Sequence, residues 1–286
     1  MNFFKKIDNV NFIIYSSYFF KLFFIFLIIF IFILIFKGLN FGLDFKGGIQ
    51  IEMKVKNIYD IKLLTNEFDK LGICDFNLYK YGSDKEFLLN LFNVEFKNKD
   101  SIIFLISNYF NNKINESIEF RRVEYIGSAV SDKLYDSGSF AIFLAIIGMM
   151  LYITLRFDYK FGICAVLALL HDIIFLLGII SIFNIEFTLI VFASILSILG
   201  YSINDTVVIF DRLRENLSKY DKMTSNDLCT IINKSINNTL SRTLMTSFTT
   251  LLVVFILMLF GGIALFDFSL ILFIGIIIGT YSSIYI

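Results

Sequence analysis

The segment SILSILGYSINDTVVIFDRLR, residues 194–214, decides how the fold of this chain is interpreted. It begins as an apolar run of the kind that crosses a membrane, and it places Asn204 and Asp205 inside that run. It ends in a basic cluster formed by Arg212 and Arg214. A carboxylate within a hydrocarbon-spanning helix is costly, and by default it marks an ion or proton pathway or a buried pair. The segment therefore predicts a membrane helix and makes the role of Asp205 the central question.

The composition extends the membrane prediction to the whole chain. Of its 286 residues, 57% are hydrophobic, whereas soluble domains contain about 45–50% apolar residues. The formal net charge is zero, which gives no indication of nucleic acid as a partner. We therefore interpret the chain as an integral membrane protein that is surrounded by lipid.

Six apolar runs predict six transmembrane helices. Residues 1–36 hold a basic N-terminus and the first helix, and we expect this helix to stay uncleaved because no small-residue cleavage site follows it. Residues 137–286 contain five further spans, separated between the fourth and fifth by a polar loop of helical character at 211–242. The five spans are predicted near 139–155, 161–183, 188–210, 244–260 and 268–286.

Residues 37–136, between the first two spans, are polar and mixed in pattern. Ile49, Ile51, Met53 and Val55 alternate with polar residues, as in a half-buried strand. Further patterns predict the order strand, helix, strand, strand, helix, strand, which is typical of a ferredoxin-like α+β domain. The predicted fold class is a membrane all-α bundle of six transmembrane helices with this domain inserted.

The basic residues outside the α+β domain predict the orientation of the chain. They lie in the N-terminus, in the turn at 156–160 and in the 211–242 loop. The connections at 184–187 and 261–267 contain no Lys or Arg. Since short cytoplasmic connections carry the excess of Lys and Arg, the three basic segments are predicted to be cytoplasmic and the α+β domain external.

Asp205 belongs to a stripe of small and polar residues on the predicted fourth span. Because residues three and four apart share a helix face, the stripe is expected to face other helices rather than lipid. A carboxylate there could bind and release protons. The alternative is an interfacial charge, since Arg212 follows within about 10 Å along a helix. The stripe comprises Ser194, Ser197, Tyr201 and Asp205, with Gly200 and Asn204 beside it.

Arg242, at the start of the fifth span, is the natural partner for Asp205. Its guanidinium stays charged and would hold Asp205 ionised until a proton arrives. The alternative interpretation is a basic anchor at the cytoplasmic end of a helix.

His171 and Asp172 lie near the middle of the third span, where ionisable side chains are rare. Adjacent His and Asp at that depth indicate either a proton relay or a hydrogen-bonded pair that fixes the packing of helices. The sequence alone leaves both interpretations open.

Small residues have structural interpretations elsewhere in the chain. Gly275, Gly279 and Ser283 form a small-residue face on the sixth span, which predicts close helix packing. The glycines of residues 42–48 predict a tight turn into the α+β domain, because no phosphate-binding pattern accompanies them. The sequence contains no metal-ligand cluster, so no metal site is predicted.

Six motifs together resemble a known family. They resemble the SecF family, the membrane subunits of the bacterial SecDF protein-export complex, within the resistance-nodulation-division superfamily of proton-driven transporters. The motifs are GLDFKGG (42–48), EYIGSAVSDKL (124–134), LLHDIIFLLG (169–178), GYSINDTVVIFDRLREN (200–216), TLSRTLMTSFTTLLVV (239–254) and GTYSSI (279–284).

The resemblance implies a multi-pass protein of the bacterial inner membrane, with a cytoplasmic N-terminus and a periplasmic domain at 37–136. It implies SecD and the SecYEG channel as partners, YajC and YidC as further ones, and an emerging preprotein as the cargo. The implied function is non-enzymatic: the complex uses the proton gradient, without a cofactor, to promote late steps of preprotein export.

The resemblance also implies roles for particular residues. The Asp of GYSINDTVV and the Arg of the SRT motif are implicated in proton transport in this family, and they correspond to Asp205 and Arg242. A third acidic residue is supplied by SecD, so this chain alone is expected to hold part of a proton path. His171 and Asp172 match the family pattern without an assigned role.

Three other functions compete with this interpretation. One is a proton-driven exporter of small molecules or lipids from the same superfamily. Another is an intramembrane aspartyl protease that uses Asp172 and Asp205, although the YD and GxGD motifs expected of such enzymes are absent. The third is a scaffold that only holds SecD to the channel.

Overall fold

The computed structural model describes residues 10–56, 60–71, 75–92, 94, 99–114, 118–220 and 224–285. The chain forms two compact units, one of Met1–Asn40 with Phe140–Ile286 and the other of Phe41–Ser139. In chain order the elements are α1 (Phe12–Lys37), α2 (Leu43–Lys46), β1 (Gly48–Lys54), α3 (Ile61–Lys70), β2 (Phe76–Lys80), β3 (Glu86–Phe92), α4 (Lys99–Tyr109), a π-helical turn (Phe110–Ile114), β4 (Glu119–Ile126), α5 (Ser128–Arg156), α6 (Tyr159–Ile182), α7 (Leu189–Leu217), α8 (Ser225–Phe260) and α9 (Ile263–Tyr285).

Six helices of the described residues are long and apolar enough to cross a membrane, which confirms the predicted fold class. They are α1, α5, α6, α7, α8 and α9. Helices α6 and α7 are the most buried of the six, whereas α1 and α5 are exposed along most of their length. The centre of the helical unit is therefore formed around α6 and α7, and these two helices carry the ionisable residues of interest.

Close packing of α7 against α9 depends on two glycines. A Cβ at Gly275 would lie 2.2 Å from Cδ1 of Ile198, and a Cβ at Gly279 would lie 3.2 Å from Cβ of Ser202. Small residues let helix backbones approach in lipid, where no hydrophobic effect drives helices together. The same spacing of four residues on both helices keeps these two contacts in register.

Helix α1 packs against α6 through aromatic side chains. The Phe23 ring stacks on the His171 ring with centroids 4.4 Å apart. Phe30 lies over Gly178, where an added Cβ would come within 2.2 Å of the Phe30 ring. Aromatic rings of α1 thus cover the outer side of the ionisable pair on α6.

The segment predicted as a loop at 211–242 is mostly a continuation of the two helices that flank it. Helix α7 runs to Leu217, and α8 begins at Ser225. A buried hydrogen bond from Asn216 Nδ2 to Ser235 Oγ, 2.9 Å long, joins the two extensions. Thr224 and Asp227 form a reciprocal capping box at the start of α8, which satisfies free backbone N–H groups there. The apolar pattern marks only the parts of these helices that lie in the membrane.

The second span also begins earlier than predicted. Helix α5 starts at Ser128 rather than near residue 139, because the polar residues that precede the apolar run continue the same helix. Hydropathy identifies the apolar part of a helix, but it does not detect a polar extension of the same helix.

The unit Phe41–Ser139 has the predicted α+β fold. Its four strands form an antiparallel sheet in the order β2-β3-β1-β4. Strands β1 and β2 are separated by β3, and β3 and β4 are separated by β1, which is the split βαβ arrangement of ferredoxin-like domains. One face of the sheet forms a core with α3, α4 and the π-helical turn. The buried residues of this core include Ile49, Ile51, Met53, Leu64, Phe68, Phe87, Leu89, Ile106 and Phe110.

The glycines of residues 42–48 flank a short helix rather than forming one tight turn. Gly42 precedes α2, Gly47 ends it with a φ of 72°, and Gly48 begins β1 with a φ of 140°. A Cβ at Gly48 would lie 2.0 Å from the carbonyl oxygen of Leu91 on the neighbouring strand. Only glycine fits at this position, both for its backbone conformation and for its contact.

Candidate functional site

Asp205 lies on α7, among the residues of that helix that are buried. Its relative exposure is 3%, and its Oδ2 atom is buried with no hydrogen-bond partner among the described residues. Buried polar atoms are nearly always paired, so an unpaired carboxylate oxygen requires a specific explanation. An oxygen that accepts no hydrogen bond is free to take up a proton.

Arg242 lies on α8, and its side chain is exposed. Its charge acts electrostatically on Asp205, although no direct ion pair joins the two in the described part of the chain. The two helices contact each other nearby, where the Tyr201 hydroxyl donates to Ser247 Oγ over 3.1 Å. Ser247 in turn shares a 2.7 Å hydrogen bond with Thr280 of α9. Asp205 and Arg242 therefore lie close enough to interact electrostatically, but they form no direct ion pair in the described part of the chain.

His171 and Asp172 are almost fully buried on α6, at 2% and 0% exposure. Asp172 Oδ2 accepts hydrogen bonds from Ser202 Oγ of α7 at 2.7 Å and from Ser282 Oγ of α9 at 2.9 Å. His171 Nδ1 lies 3.1 Å from Asp172 Oδ1. The Asp172 carboxylate therefore meets polar groups from three helices.

Only part of the predicted stripe on α7 faces the other helices. Ser194 and Asp205 are buried and Tyr201 is half-buried, whereas Ser197, Gly200 and Asn204 are exposed. A Cβ at Gly200 would meet nothing within 4 Å, so Gly200 packs against no other helix among the described residues. The reason is rotational, because Gly200 lies two residues from both Ile198 and Ser202, on the opposite side of the helix.

The small-residue face on α9 also differs by one position from the prediction. Ser282 makes the contact with Asp172, whereas the Ser283 hydroxyl donates to the Thr280 carbonyl of its own helix. Neither Ser202 nor Ser282 was predicted from the sequence as a partner of Asp172. Their spacing fits the packing face, since Ser282 lies seven residues after Gly275, but a serine gives no signal of its partner until the opposing helix is known.

The arrangement distinguishes two kinds of buried carboxylate in one helical unit. Asp172 accepts two serine hydroxyls on Oδ2 and has His171 Nδ1 3.1 Å from Oδ1. Asp205 instead has an oxygen with no partner among the described residues and a guanidinium within electrostatic range. No group of three or more His, Cys, Asp or Glu residues that could hold a metal ion occurs among the described residues.

The fold and the site define a class of protein: a membrane protein with six spanning helices, an inserted α+β domain and ionisable side chains inside the bundle. Two family models match the chain. The model of the SecD/SecF protein export membrane protein C-terminal region matches residues 106–286, and the SecD/SecF GG motif matches residues 32–57.

Curated relatives give the same result. The chain is 42% identical over 247 residues to the protein translocase subunit SecF of Rickettsia conorii, a match that covers 86% of this chain and 79% of the relative. It is 40% identical to SecF of Rickettsia prowazekii, with 86% and 78% covered. The chain belongs to the SecD/SecF family, and its SecF members are the relatives that it matches over most of their length.

Solved structures agree with this fold. The crystal structure of SecDF from Thermus thermophilus, described as a translocon-associated membrane protein, superposes with a TM-score of 0.85 at 30% identity. A second structure of SecDF, in a super-membrane-facing form, gives a TM-score of 0.69 at the same identity. Both matches cover 98% of this chain, which spans 38% of the length of the SecDF chain.

Proposed function

We propose that this chain is the SecF-type subunit of a Sec translocase accessory complex in the bacterial inner membrane. In this proposal the complex uses the proton gradient to promote late steps of preprotein export. The observation that carries it is Asp205, which is buried in a spanning helix and has an unpaired Oδ2 near the charge of Arg242. The relatives named protein translocase subunit SecF support the choice of cargo.

The proposed mechanism is a protonation cycle at Asp205. When Asp205 is ionised, the Arg242 guanidinium across the α7–α8 interface offsets part of its charge. When Asp205 takes up a proton, that attraction ends, and the balance of forces between the two helices changes. A charge that appears and disappears inside a bundle is a local event that can bias a two-state packing arrangement. The resulting movement is proposed to act on the emerging preprotein.

A second chain is proposed to complete the proton path. Ser197, Gly200 and Asn204 present a polar stripe on the exposed side of α7, and Arg242 is exposed on α8. Polar groups in a spanning helix are expected to face protein or water rather than lipid. This exposed polar surface beside Asp205 supports a contact with SecD, which would supply further ionisable groups. The SecYEG channel, YajC and YidC are proposed as additional partners of the complex.

The orientation proposed from the basic residues has structural support. The backbone N–H of Phe12 donates to Asn233 Oδ1 of α8 over 2.8 Å, so the start of α1 and the start of α8 lie at the same end of the helical unit. At the α5–α6 turn, Arg214 donates to the carbonyl of Arg156 over 2.8 Å. The start of α1, the α5–α6 turn, the end of α7 and the start of α8 thus share one end, which we propose is cytoplasmic, with residues 37–136 periplasmic.

The competing functions have less support. An aspartyl protease needs two carboxylates that share a water, whereas Asp172 is sealed by hydrogen bonds to two serines. A small-molecule exporter of this kind would be favoured by an apolar cavity in the external domain. The cavity described there is lined largely by charged side chains, including Lys54, Lys85 and Glu119. We therefore propose a non-enzymatic transport subunit.

The test is Asp205→Asn in the complex with its partner subunit, because asparagine keeps the shape and removes the titration. We expect proton-gradient-dependent export of a preprotein to be lost while the variant still co-purifies with SecD. Asp211→Asn is the matched control, since Asp211 lies on the same helix, is exposed and pairs with Arg156 at 3.4 Å. Wild-type export from assembled Asp205→Asn would overturn the proposal and favour the scaffold.

A further inference from the structure

Asp172 is a second buried carboxylate, and it takes no part in the proposed proton cycle. Its Oδ2 atom accepts one hydroxyl from α7 and one from α9, and its own backbone belongs to α6. It is therefore a single point at which three membrane helices meet. A buried polar network whose members are all satisfied rigidifies its surroundings and specifies one arrangement.

The donors on Asp172 argue against a role as a proton carrier. Both hydroxyls converge on Oδ2, and His171 Nδ1 lies 3.1 Å from Oδ1. The side chain is fully buried, and α1 covers this side of α6 with the apolar ring of Phe23 against His171. His171 is the titratable group that contacts Asp172 in the described structure. Asp172 therefore differs from Asp205 in that its Oδ2 already accepts two hydroxyl hydrogen bonds, whereas Asp205 Oδ2 has no partner among the described residues.

The hydrogen bond between Asp172 and Ser202 lies close to Asp205 along α7. Ser202 precedes Asp205 by three residues on α7, which is about 4.5 Å along a helix. The same serine packs against Gly279 of α9, where an added Cβ would lie 3.2 Å from Ser202 Cβ. The hydrogen bond and the glycine contact together fix both the depth and the rotation of α7 one turn from Asp205.

We propose that Asp172 is a positioning residue for the proton step: its carboxylate ties α7 and α9 to α6 through Ser202 and Ser282 and holds Asp205 in place without carrying the proton itself. This inference depends on the proposed role of Asp205. It assigns the His171–Asp172 pair to helix positioning, which was one of the two interpretations left open by the sequence.

The first test compares Asp172→Asn with Asp172→Leu in the complex containing SecD. An asparagine carbonyl oxygen can accept both serine hydroxyls, and its amide can donate to a His171 nitrogen, so the joint survives without an ionisable group. We expect Asp172→Asn to keep proton-dependent export within about twofold of wild type, with an unchanged pH profile. Leucine fills similar space without an acceptor, and we expect a loss of at least about tenfold, equivalent to about 1.4 kcal/mol. Loss of export in assembled Asp172→Asn, or full export in Asp172→Leu, would overturn the proposal.

A second pair of variants keeps the test decisive if Asp172→Leu fails to assemble. Ser202→Ala with Ser282→Ala removes both donors and leaves Asp172 in place. We expect the assembled double variant to export more slowly and to show a shifted pH profile, because Asp205 is no longer held. The matched control is Ser194→Ala with Ser283→Ala, on the same two helices, whose hydroxyls donate to carbonyls of their own helices. An unchanged rate and pH profile in the Ser202 and Ser282 variant would overturn the positioning role.

Running Asp205→Asn beside these variants separates the two proposals. If Asp205→Asn exports normally, the proposed function fails irrespective of the results at Asp172. If Asp205→Asn is inactive and Asp172→Asn is inactive as well, the proton role of Asp205 stands and the positioning role of Asp172 is contradicted.

Discussion

Asp205 and Asp172 are both buried aspartates on membrane helices, yet their oxygens have different surroundings. The sequence identifies both as costly charges, but it does not show which of them has an oxygen free to bind a proton. The serine donors of Asp172 lie 30 and 110 residues away along the chain, so no local pattern reveals that this carboxylate accepts two hydroxyls. Arg242 could be predicted as the partner of Asp205 because it opens the next span, whereas the absence of a direct ion pair could not.

Substitutions of Arg242 test whether its charge acts on Asp205. Replacing Arg242 by Gln removes the charge that acts on Asp205 across the α7–α8 interface. We expect proton-dependent export to fall by about tenfold or more, which is a change of about 1.4 kcal/mol in the limiting step. Arg242→Lys should retain part of the activity because it keeps the charge without the planar guanidinium.

The control for Arg242 is Arg212→Gln, which removes a half-buried arginine that pairs with the exposed Glu215 on α7. Surface ion pairs contribute little, so this variant should export at the wild-type rate. Equal activity of Arg242→Gln and Arg212→Gln would show that Arg242 is only a basic anchor at a helix end.

At the scale of elements, the contact between α7 and α9 organises the helical unit. The pattern of small residues on the sixth span predicted a packing face, but it could not show which helix lies opposite. Gly200 is as small as the residues that pack, yet it faces outward because Ile198 and Ser202, two residues away on either side, face α9. The boundaries of α5, α7 and α8 were also predicted short, since polar extensions of a helix carry no apolar signal.

Gly275→Leu tests this contact. The new side chain would collide with Ile198, where even a Cβ would lie 2.2 Å from Cδ1. Overpacking of this kind costs about 1–3 kcal/mol, and we expect a lower melting temperature and less assembled complex. Ile198→Ala in the same chain should restore much of the loss by making room.

Gly148→Leu serves as the control for Gly275→Leu, because a Cβ at Gly148 on α5 would meet nothing within 4 Å. Two results would show that the described α7–α9 packing is not the one that stabilises the protein. One is a wild-type melting temperature for Gly275→Leu, and the other is a further fall in melting temperature when Ile198→Ala is added to Gly275→Leu.

For the whole molecule, the fold class could be predicted from the sequence more completely than the contacts of individual residues could. Six apolar runs and one polar insertion define the fold class, because hydropathy and strand alternation act over many residues and average out local errors. The ferredoxin-like fold of the inserted domain was predicted from its order of strands and helices along the chain, and the sheet order β2-β3-β1-β4 agrees with it. The orientation in the membrane remains a proposal from the distribution of basic residues.

The two native cysteines described as exposed allow a test of that orientation. Cys229 lies in the polar first part of α8, whereas Cys164 lies in the membrane span of α6. We expect a membrane-impermeant thiol reagent to label Cys229 in inside-out vesicles and not in intact spheroplasts, in a chain with Cys74 and Cys164 replaced by serine. A cysteine introduced at Ser83, an exposed position in the α+β unit, should show the opposite pattern. Labelling of Cys229 from the outside would reverse the proposed topology.

Infrared difference spectroscopy of the purified complex with SecD, recorded between high and low pH, tests directly whether Asp205 binds the proton. A protonated carboxylic acid has a C=O band that the ionised form lacks, so each titrating aspartate contributes a pH-dependent signal. We predict that Asp205→Asn removes one such band and that Asp172→Asn leaves it in place. If Asp205→Asn leaves every band unchanged while Asp172→Asn removes one, Asp205 is not the proton-binding residue of this chain.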